Sequence, residues 1–479
     1  MKILSKNGNE LLLLAMKEDS AAKGDYLLIE DRSRSMIVQV YDEEYLSSQA
    51  LIEDIVKEEV VNASSIENIH DPLNIGSLSR LVRDARVFRA KIRASVNGGK
   101  LSSDVGWLPS RVESKIRRIG MKELESLLGR CGVFPIPVGR AGHEEDFEIY
   151  AEDLDGKLTV ITGKKESGKS HLSKVLIKTL VQYGAFVIVF DLNNEYGGLG
   201  WSRIGVPSSI NQQVKILEPG KTLRFTLNYC GKTAISGMLK NALDMPAASL
   251  REFLRIWDSC ESKQSLSIDA IGNAVNTWNL NELVRDALVS RYHVIRSSRL
   301  FVNGDGGLKF EDIISGKSGA AMIINMGEVS PTVRRMVVEL VLSKIVDLLE
   351  HKQIPPIFLF AEEAHIYIRD TYWEDIITRM RHFGIYTTFI TNQPDAISDS
   401  IYRQVDNIFL FNFTNDNDLD KISKVSLADN DTIRSIVRTL PQRHCLAIGK
   451  AVCDLPVVIK VAAAELVMLG ETKKFFTKK

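Results

Sequence analysis

Residues 163–170 read Gly-Lys-Lys-Glu-Ser-Gly-Lys-Ser and satisfy the pattern G-x-x-x-x-G-K-[S/T]. Glycines at both ends let the backbone curl until successive N–H groups point at phosphate oxygens, and a helix opening there adds its positive end. Lys169 is placed to neutralise β/γ phosphates and the Ser170 hydroxyl to ligate Mg²⁺. The pattern works only between a strand and a helix. The flanks meet that condition: Leu158–Thr162 is an apolar strand, and Ser170–Tyr183 carries Leu172, Val175, Leu176, Thr179 and Leu180 on one helical face. A second strand, Phe186–Phe190, follows. A βαβ unit of this kind requires a parallel sheet with helices packed on it. The loop residues Gly163, Lys164, Lys165, Glu166, Ser167, Gly168, Lys169, Ser170 and the following His171 are therefore expected to bind ATP or a related nucleotide. Glu166 is the odd member, a carboxylate in a loop that cradles anions.

The parallel-strand pattern returns at Ala321–Asn325, Ile357–Ala361, Thr387–Thr391 and Asn407–Phe411, and closes with Cys445–Ile448 and Pro456–Val461. Residues 226–304 hold helical runs but no strand-like run, which marks a helical insertion. Residues 1–105 differ in character. Short β-branched runs (Tyr26–Glu30, Met36–Tyr41, Val87–Ser95) alternate with turns such as Asn97-Gly98-Gly99, the pattern of a small β-barrel. The expected organisation is a barrel over 1–105, a joining segment over 106–150, and an α/β core of RecA-like P-loop type over 151–225 and 305–465. The insertion at 226–304 interrupts that core, and 466–479 form a charged tail.

The strand Ile357–Ala361 ends in Glu362-Glu363-Ala364-His365. An apolar strand ending in acids delivers carboxylates to the edge of the sheet that carries the phosphate loop. Glu362 is expected to hold the Mg²⁺ water shell and Glu363 to orient the attacking water. Asp191, with Glu195 and Tyr196 just beyond it, ends another strand and is available to the metal or the water. Thr391-Asn392-Gln393-Pro394 ends a third, where a polar side chain can sense the γ-phosphate. Arg379 and Arg381 precede that strand, and one of them can serve a neighbouring subunit's phosphates.

Composition excludes several classes. Lys+Arg and Asp+Glu both number 61, so no global basic excess points to nucleic acid, and any such partner needs a local patch or channel. Arg80, Arg83, Arg86, Arg89, Lys91 and Arg93 form one such stretch, with Arg89, Lys91 and Arg93 on one strand face. The five cysteines are scattered without C-x-x-C or zinc spacing. The apolar run near the N-terminus is too short for a signal sequence, and no segment approaches a membrane span, so a cytoplasmic, non-membrane protein is expected.

Taken in order, these motifs resemble the HerA-type ATPases of archaea, within the HerA–FtsK superfamily. Phe190-Asp191-Leu192-Asn193-Asn194-Glu195-Tyr196 resembles the family's F-D-x-x-G-E-Y, Glu362-Glu363-Ala364-His365 its [DE]-E-A-H, and Arg381-His382-Phe383-Gly384 its R-K-F-G. Thr391-Asn392-Gln393-Pro394 is similar to S-Q-R-P, and Leu440-Pro441, Ala447-Ile448-Gly449 and Leu455-Pro456 to the closing strands. The resemblance implies an N-terminal HAS barrel, a homo-hexameric ring around double-stranded DNA, and ATP hydrolysis at subunit boundaries with Arg381 acting in trans. It also implies a NurA-type nuclease partner in DNA-end processing and repair. Three places depart from the family: Lys165-Glu166 replaces Thr-Gly in the phosphate loop, Asn392-Gln393 replaces Gln-Arg, and Lys157 stands where members often have an arginine before the first strand. The competing readings are a secretion- or conjugation-type motor ATPase and a nucleotide-binding ring scaffold with little turnover.

Overall fold

The computed structural model describes residues 1–46, 84–97, 100–102, 104–142, 144–304, 306–316, 318–366, 379–413, 415–425, 429–467 and 469. The chain opens with strands β1 (Lys2–Asn7), β2 (Glu10–Ala15), β3 (Tyr26–Asp31), β4 (Arg34–Tyr45), β5 (Arg86–Asn97), β6 (Lys100–Ser102) and β7 (Lys115–Arg118). Helix α1 (Met121–Leu127), β8 (Pro135–Ala141) and β9 (Glu145–Tyr150) follow. Then come β10 (Thr159–Thr162), α2 (Lys169–Gln182), β11 (Phe186–Asp191), β12 (Val214–Leu217) and helices α3 (Leu227–Gly237), α4 (Ala247–Ser262), α5 (Ile268–Thr277) and α6 (Glu282–Ser298). The remainder is α7 (Phe310–Ile314), β13 (Ala320–Asn325), α8 (Pro331–Glu350), β14 (Ile357–Glu362), β15 (Ile385–Thr391), α9 (Asp399–Tyr402), β16 (Asn407–Phe411), α10 (Asp416–Val425), α11 (Asn430–Val437), β17 (His444–Gly449) and β18 (Val457–Val461).

The chain divides into two compact units. One comprises Met1–Gly132, Gly139–Glu148 and Leu410–Val461; the other comprises Val133–Val138, Ile149–Phe409 and Ala462–Lys479. Leu410–Val461, read from the sequence as part of the α/β core, thus groups with the N-terminal residues.

In the first unit the antiparallel strands run in the order β1-β2-β5-β4-β3-β7, with β6 on β5. The expected small barrel is a curled antiparallel sheet. Period-two alternation explains its core: Leu11, Leu13 and Ala15 of β2 are wholly buried against Leu27, Ile29, Val38, Val40 and Phe88. Residues 106–150, expected only to join, supply β7 to this sheet and also form α1, β8 and β9, the latter two strands lying outside it.

The basic stretch is engaged by this unit's own acids. Arg93 donates to Asp429 at 2.8 Å, Thr432 at 2.7 Å and Gln39 at 3.1 Å. Lys91 lies 3.5 Å from Glu10 and 3.3 Å from Asp431, and Arg89 lies 3.1 Å from Glu44. This face, one local stretch that could have met phosphates, carries charges matched within the unit. Arg80, Arg83, Gly98 and Gly99 lie outside the described residues.

In the second unit the strands are parallel and ordered β12-β13-β11-β14-β15-β10, with β16 on the far side of β10. Every residue of β10 and β11 is buried, as strands covered on both faces must be. The register aligns Thr162 with Thr391, Glu362 with Ile390, and Asp191 with Asn325. All the strand-end residues singled out from the sequence therefore emerge on one edge. Insertion of β15 between β10 and β14 sets Thr391 and Asn392 between the phosphate loop and the acidic pair. Helices α3–α6 occupy the segment expected to be a helical insertion.

Candidate nucleotide site

The loop between β10 and α2 turns on Gly168, whose φ of +120° is closed to a residue with a side chain. Glu166 adopts φ +60°, the left-handed region, at the position where the resembling family has glycine. A non-glycine residue there costs about 1–2 kcal/mol. Its side chain is exposed, as are Lys164 and Lys165. The departure seen in the sequence is thus a backbone matter as much as a matter of charge.

Lys169 folds back on its loop and donates to the carbonyls of Gly163 at 2.7 Å and Lys164 at 2.9 Å. Burial pushes its amine down to about 8, while Glu363, Glu195 and Glu362 pull the other way. An amine held among carboxylates at the first turn of a helix suits a polyanion. His171, two residues on, accepts the backbone N–H of Ala464 at Nδ1, 3.3 Å away.

The acids arrive from two strands and one loop. Asp191 is wholly buried, and its two oxygens accept the N–H groups of Glu195 and Tyr196, each at 2.9 Å. Glu362 is 4% exposed; its Oε2 accepts from the backbone of Leu192 at 3.1 Å and Asn193 at 3.3 Å. The Ser170 hydroxyl and the charge of Lys174 favour the ionised form of Glu195. Burial raises the pKa of all three, and for Glu362 the charges of Glu195 and Asp191 raise it further. Lys174, wholly buried with its Nζ 5.7 Å above the Tyr196 ring, supplies the opposing charge. Sequence reading passed over Lys174, although a lysine inside an apolar helix face is a visible signal.

Glu363 stands apart from that cluster, with φ +48°. Its Oε1 accepts from Asn392 Nδ2 at 3.2 Å, and its Oε2 lies 3.3 Å from His365 Nδ1. His365 Nδ1 is also 3.1 Å from Thr391 Oγ1. Residues from two strand ends thus hold one carboxylate.

Arg381 is not brought to this edge. It pairs with Asp406 and donates to the Gln404 carbonyl at 3.3 Å. Asp406 also accepts the N–H of Leu158 at 2.9 Å, just before β10 begins, so Arg381 sits at the sheet edge opposite the phosphate loop. Arg379 stacks over Phe383 at 5.7 Å and does not join the strand-end group. Asp406 was not singled out in the sequence, since nothing local distinguishes it.

The residues present fit a nucleotide with a divalent cation. Among the described residues, the buried atoms Thr162 Oγ1, Ser167 Oγ and Asn392 Oδ1 have no hydrogen-bond partner, and Glu363 Oε2 has only the His365 ring at 3.3 Å. Buried polar atoms of this kind ordinarily have partners. Among the described residues no three His, Cys, Asp or Glu side chains group as a protein-only metal cage. Mg²⁺ does not need one, because it keeps several waters and takes one or two side chains plus substrate phosphates.

Residues 161–345 match the family described as "Helicase HerA, central domain". No curated protein matches the chain. Among solved structures, an unbound form of the bacterial conjugative coupling protein TrwBΔN70 aligns at TM-score 0.52 and 12% identity, covering 74% of this chain and 94% of that one. TrwB in complex with a non-hydrolysable ATP analogue aligns at TM-score 0.51 and 14% identity, over 74% of this chain and 94% of that one. VirB4 of Thermoanaerobacter pseudethanolicus aligns at TM-score 0.49 and 12% identity, over 70% and 98%. The TrwB alignments bear on the fold, and the fold is that of a RecA-like P-loop ATPase.

Proposed function

We propose that this chain is a member of the HerA–FtsK superfamily of P-loop ATPases, a reading supported by the family match of residues 161–345, and that it is an ATP-hydrolysing motor that translocates double-stranded DNA. The observation that carries the reading is the gathering of Lys169, Ser170, Glu362 and Glu363 on one sheet edge, while Arg381 stands on the other. A site complete except for a guanidinium, with that guanidinium on the far side of the same sheet, suits a ring. Each subunit there lends its arginine to the next subunit's γ-phosphate. A homo-hexamer is the assembly we propose.

ATP is the nucleotide and Mg²⁺ the metal in this reading. The loop N–H groups and Lys169 bind the phosphates. Ser170 and Glu362, with Asp191 behind them, form the metal side. Bound Mg²⁺ supplies charge neutralisation at the β- and γ-phosphate oxygens. Glu363, oriented by Asn392 and His365, accepts a proton from the attacking water. Desolvation and charge at this edge favour hydrolysis over mere retention of nucleotide. The nuclease partner we propose is of NurA type, for DNA-end processing.

ATPase rate measured with and without linear duplex DNA, at two salt concentrations, tests the reading. We expect stimulation by duplex that weakens steeply as salt rises. Turnover indifferent to DNA, with no salt-sensitive DNA binding, overturns the translocase. Nucleotide binding without turnover would favour the scaffold.

A further inference from the structure

We propose that the exposed cations Arg224, Arg296, Arg299 and Lys309 form a contact for the phosphate backbone of double-stranded DNA, separate from the nucleotide site. The inference rests on the motor reading above and supplies it with a surface that holds the duplex.

Three chain segments converge here through their backbones. The segment after β12 folds into a tight turn, in which the Glu218 carbonyl accepts from Lys221 and Thr222 at 3.1 Å and from Leu223 at 2.9 Å. Gly220, at φ +76°, lets this turn close on the end of α6: a Cβ there would lie 2.7 Å from the Ser298 carbonyl oxygen. Phe225 then donates to the Leu300 carbonyl at 2.8 Å, and Leu308 to the Arg224 carbonyl at 2.7 Å. Leu223, Phe225 and Leu300 are buried and anchor the junction. Arg224, Arg296, Arg299 and Lys309 stand between or beside these anchors and are exposed. Arg299 ends α6 in the left-handed region, at φ +55°, so a cation stands where helix ends favour glycine.

Charge balance distinguishes this patch. Among the described residues none of the four cations pairs with a carboxylate, in contrast to Arg89, Lys91 and Arg93. Three nearby acids are engaged elsewhere: Glu218 with Lys221 at 3.2 Å, Glu311 with the Tyr229 hydroxyl at 2.6 Å, and Asp269 with Asn303 at 2.9 Å. Cations gathered without counter-charges suit a polyanion, which releases its own counterions as they neutralise it. Spread over three segments, they match a row of phosphates, a contact that reads no base sequence. Strand register places the patch. Leu217 of β12 aligns with Ile324, one residue before Asn325, which aligns with Asp191. The turn therefore leaves the same sheet edge as the phosphate loop, five strand spacings or about 24 Å along it.

Binding of a labelled linear duplex across a series of salt concentrations tests this, with DNA-free ATPase rate and melting temperature measured alongside. Arg224→Gln and Arg299→Gln should each lower the slope of log affinity against log salt by about 1, and the double variant by about 2. DNA-free turnover and melting temperature should stay as in the wild type. Replacing both arginines by lysine should restore the slope, because the contact depends on charge. Arg89→Gln, which removes a charge already paired with Glu44, should leave the slope unchanged. A wild-type slope in the double glutamine variant overturns the patch and leaves the motor reading standing. An equal fall in Arg89→Gln also overturns it, since net charge alone would then account for the loss. A wild-type protein that binds no duplex removes the motor reading as well.

Discussion

Asn392 donates from Nδ2 to Glu363 Oε1 at 3.2 Å, so the end of β15 holds the carboxylate that follows β14. The contact is possible because these strands are neighbours and in register. It assigns Asn392, which replaces the family's glutamine, a partner on the protein itself.

Glu363→Gln should lower turnover by about 10²-fold or more, the scale of lost general-base catalysis, while ATP binding persists. Asn392→Ala should lower turnover less, because His365 still faces Oε2 at 3.3 Å. Steady-state ATPase assays paired with nucleotide titrations check both. Undiminished turnover in Glu363→Gln would remove the base from that residue.

The amine of Lys169, pushed down to about 8 by burial, makes nucleotide binding depend on pH. Bound phosphates favour its charged form and raise its pKa. Affinity should therefore be greatest below pH 8 and fall as the amine of the free protein deprotonates above it. Calorimetric titrations near pH 8.5 in two buffers of different ionisation heat should show proton uptake. Lys169→Ala should abolish both the uptake and tight binding. A flat pH profile would contradict the assigned burial.

Glu166→Gly should tighten nucleotide binding by removing both a carboxylate and a strained φ of +60°. Relief of the left-handed backbone, about 1 kcal/mol, is partly offset by the greater freedom glycine gives the unfolded chain, so stability should change little. Binding titrations and thermal melts of the two proteins test this. Weaker binding in the glycine variant would show that Glu166 contributes to the site.

Arg381→Ala should cut turnover by about 10³-fold if the guanidinium serves a neighbour's phosphates. An equimolar mix of Arg381→Ala and Glu363→Gln subunits should recover part of the activity, since some boundaries then have both groups. No recovery would place Arg381 in its own site or outside catalysis. Asp406→Ala frees Arg381 but also leaves the Leu158 N–H without its acceptor. It should therefore cost about 1–3 kcal/mol of stability, measured by denaturant unfolding.

Much of this site was legible in the chain because its signals are local. The phosphate loop, its strand and its helix lie within residues 158–183, and the apolar runs of β11, β13, β14 and β15 announce a parallel sheet. Where such strands end, their terminal acids must emerge on the loop's side, so Glu362 and Glu363 could be named from spacing alone. The tertiary structure decided the rest. Strand order set Asn392 against Glu363, and sequence spacing carries no record of strand order. Backbone N–H groups of Glu195 and Tyr196 took up both oxygens of Asp191, a competition that only packed geometry settles. Arg89, Lys91 and Arg93 looked like an open basic face, yet Asp429 and Asp431 approach from more than three hundred residues away. Long-range charge pairing of that kind leaves no mark in local pattern. The loop at 163–170 follows from the chain, whereas the division of labour around it follows from the fold.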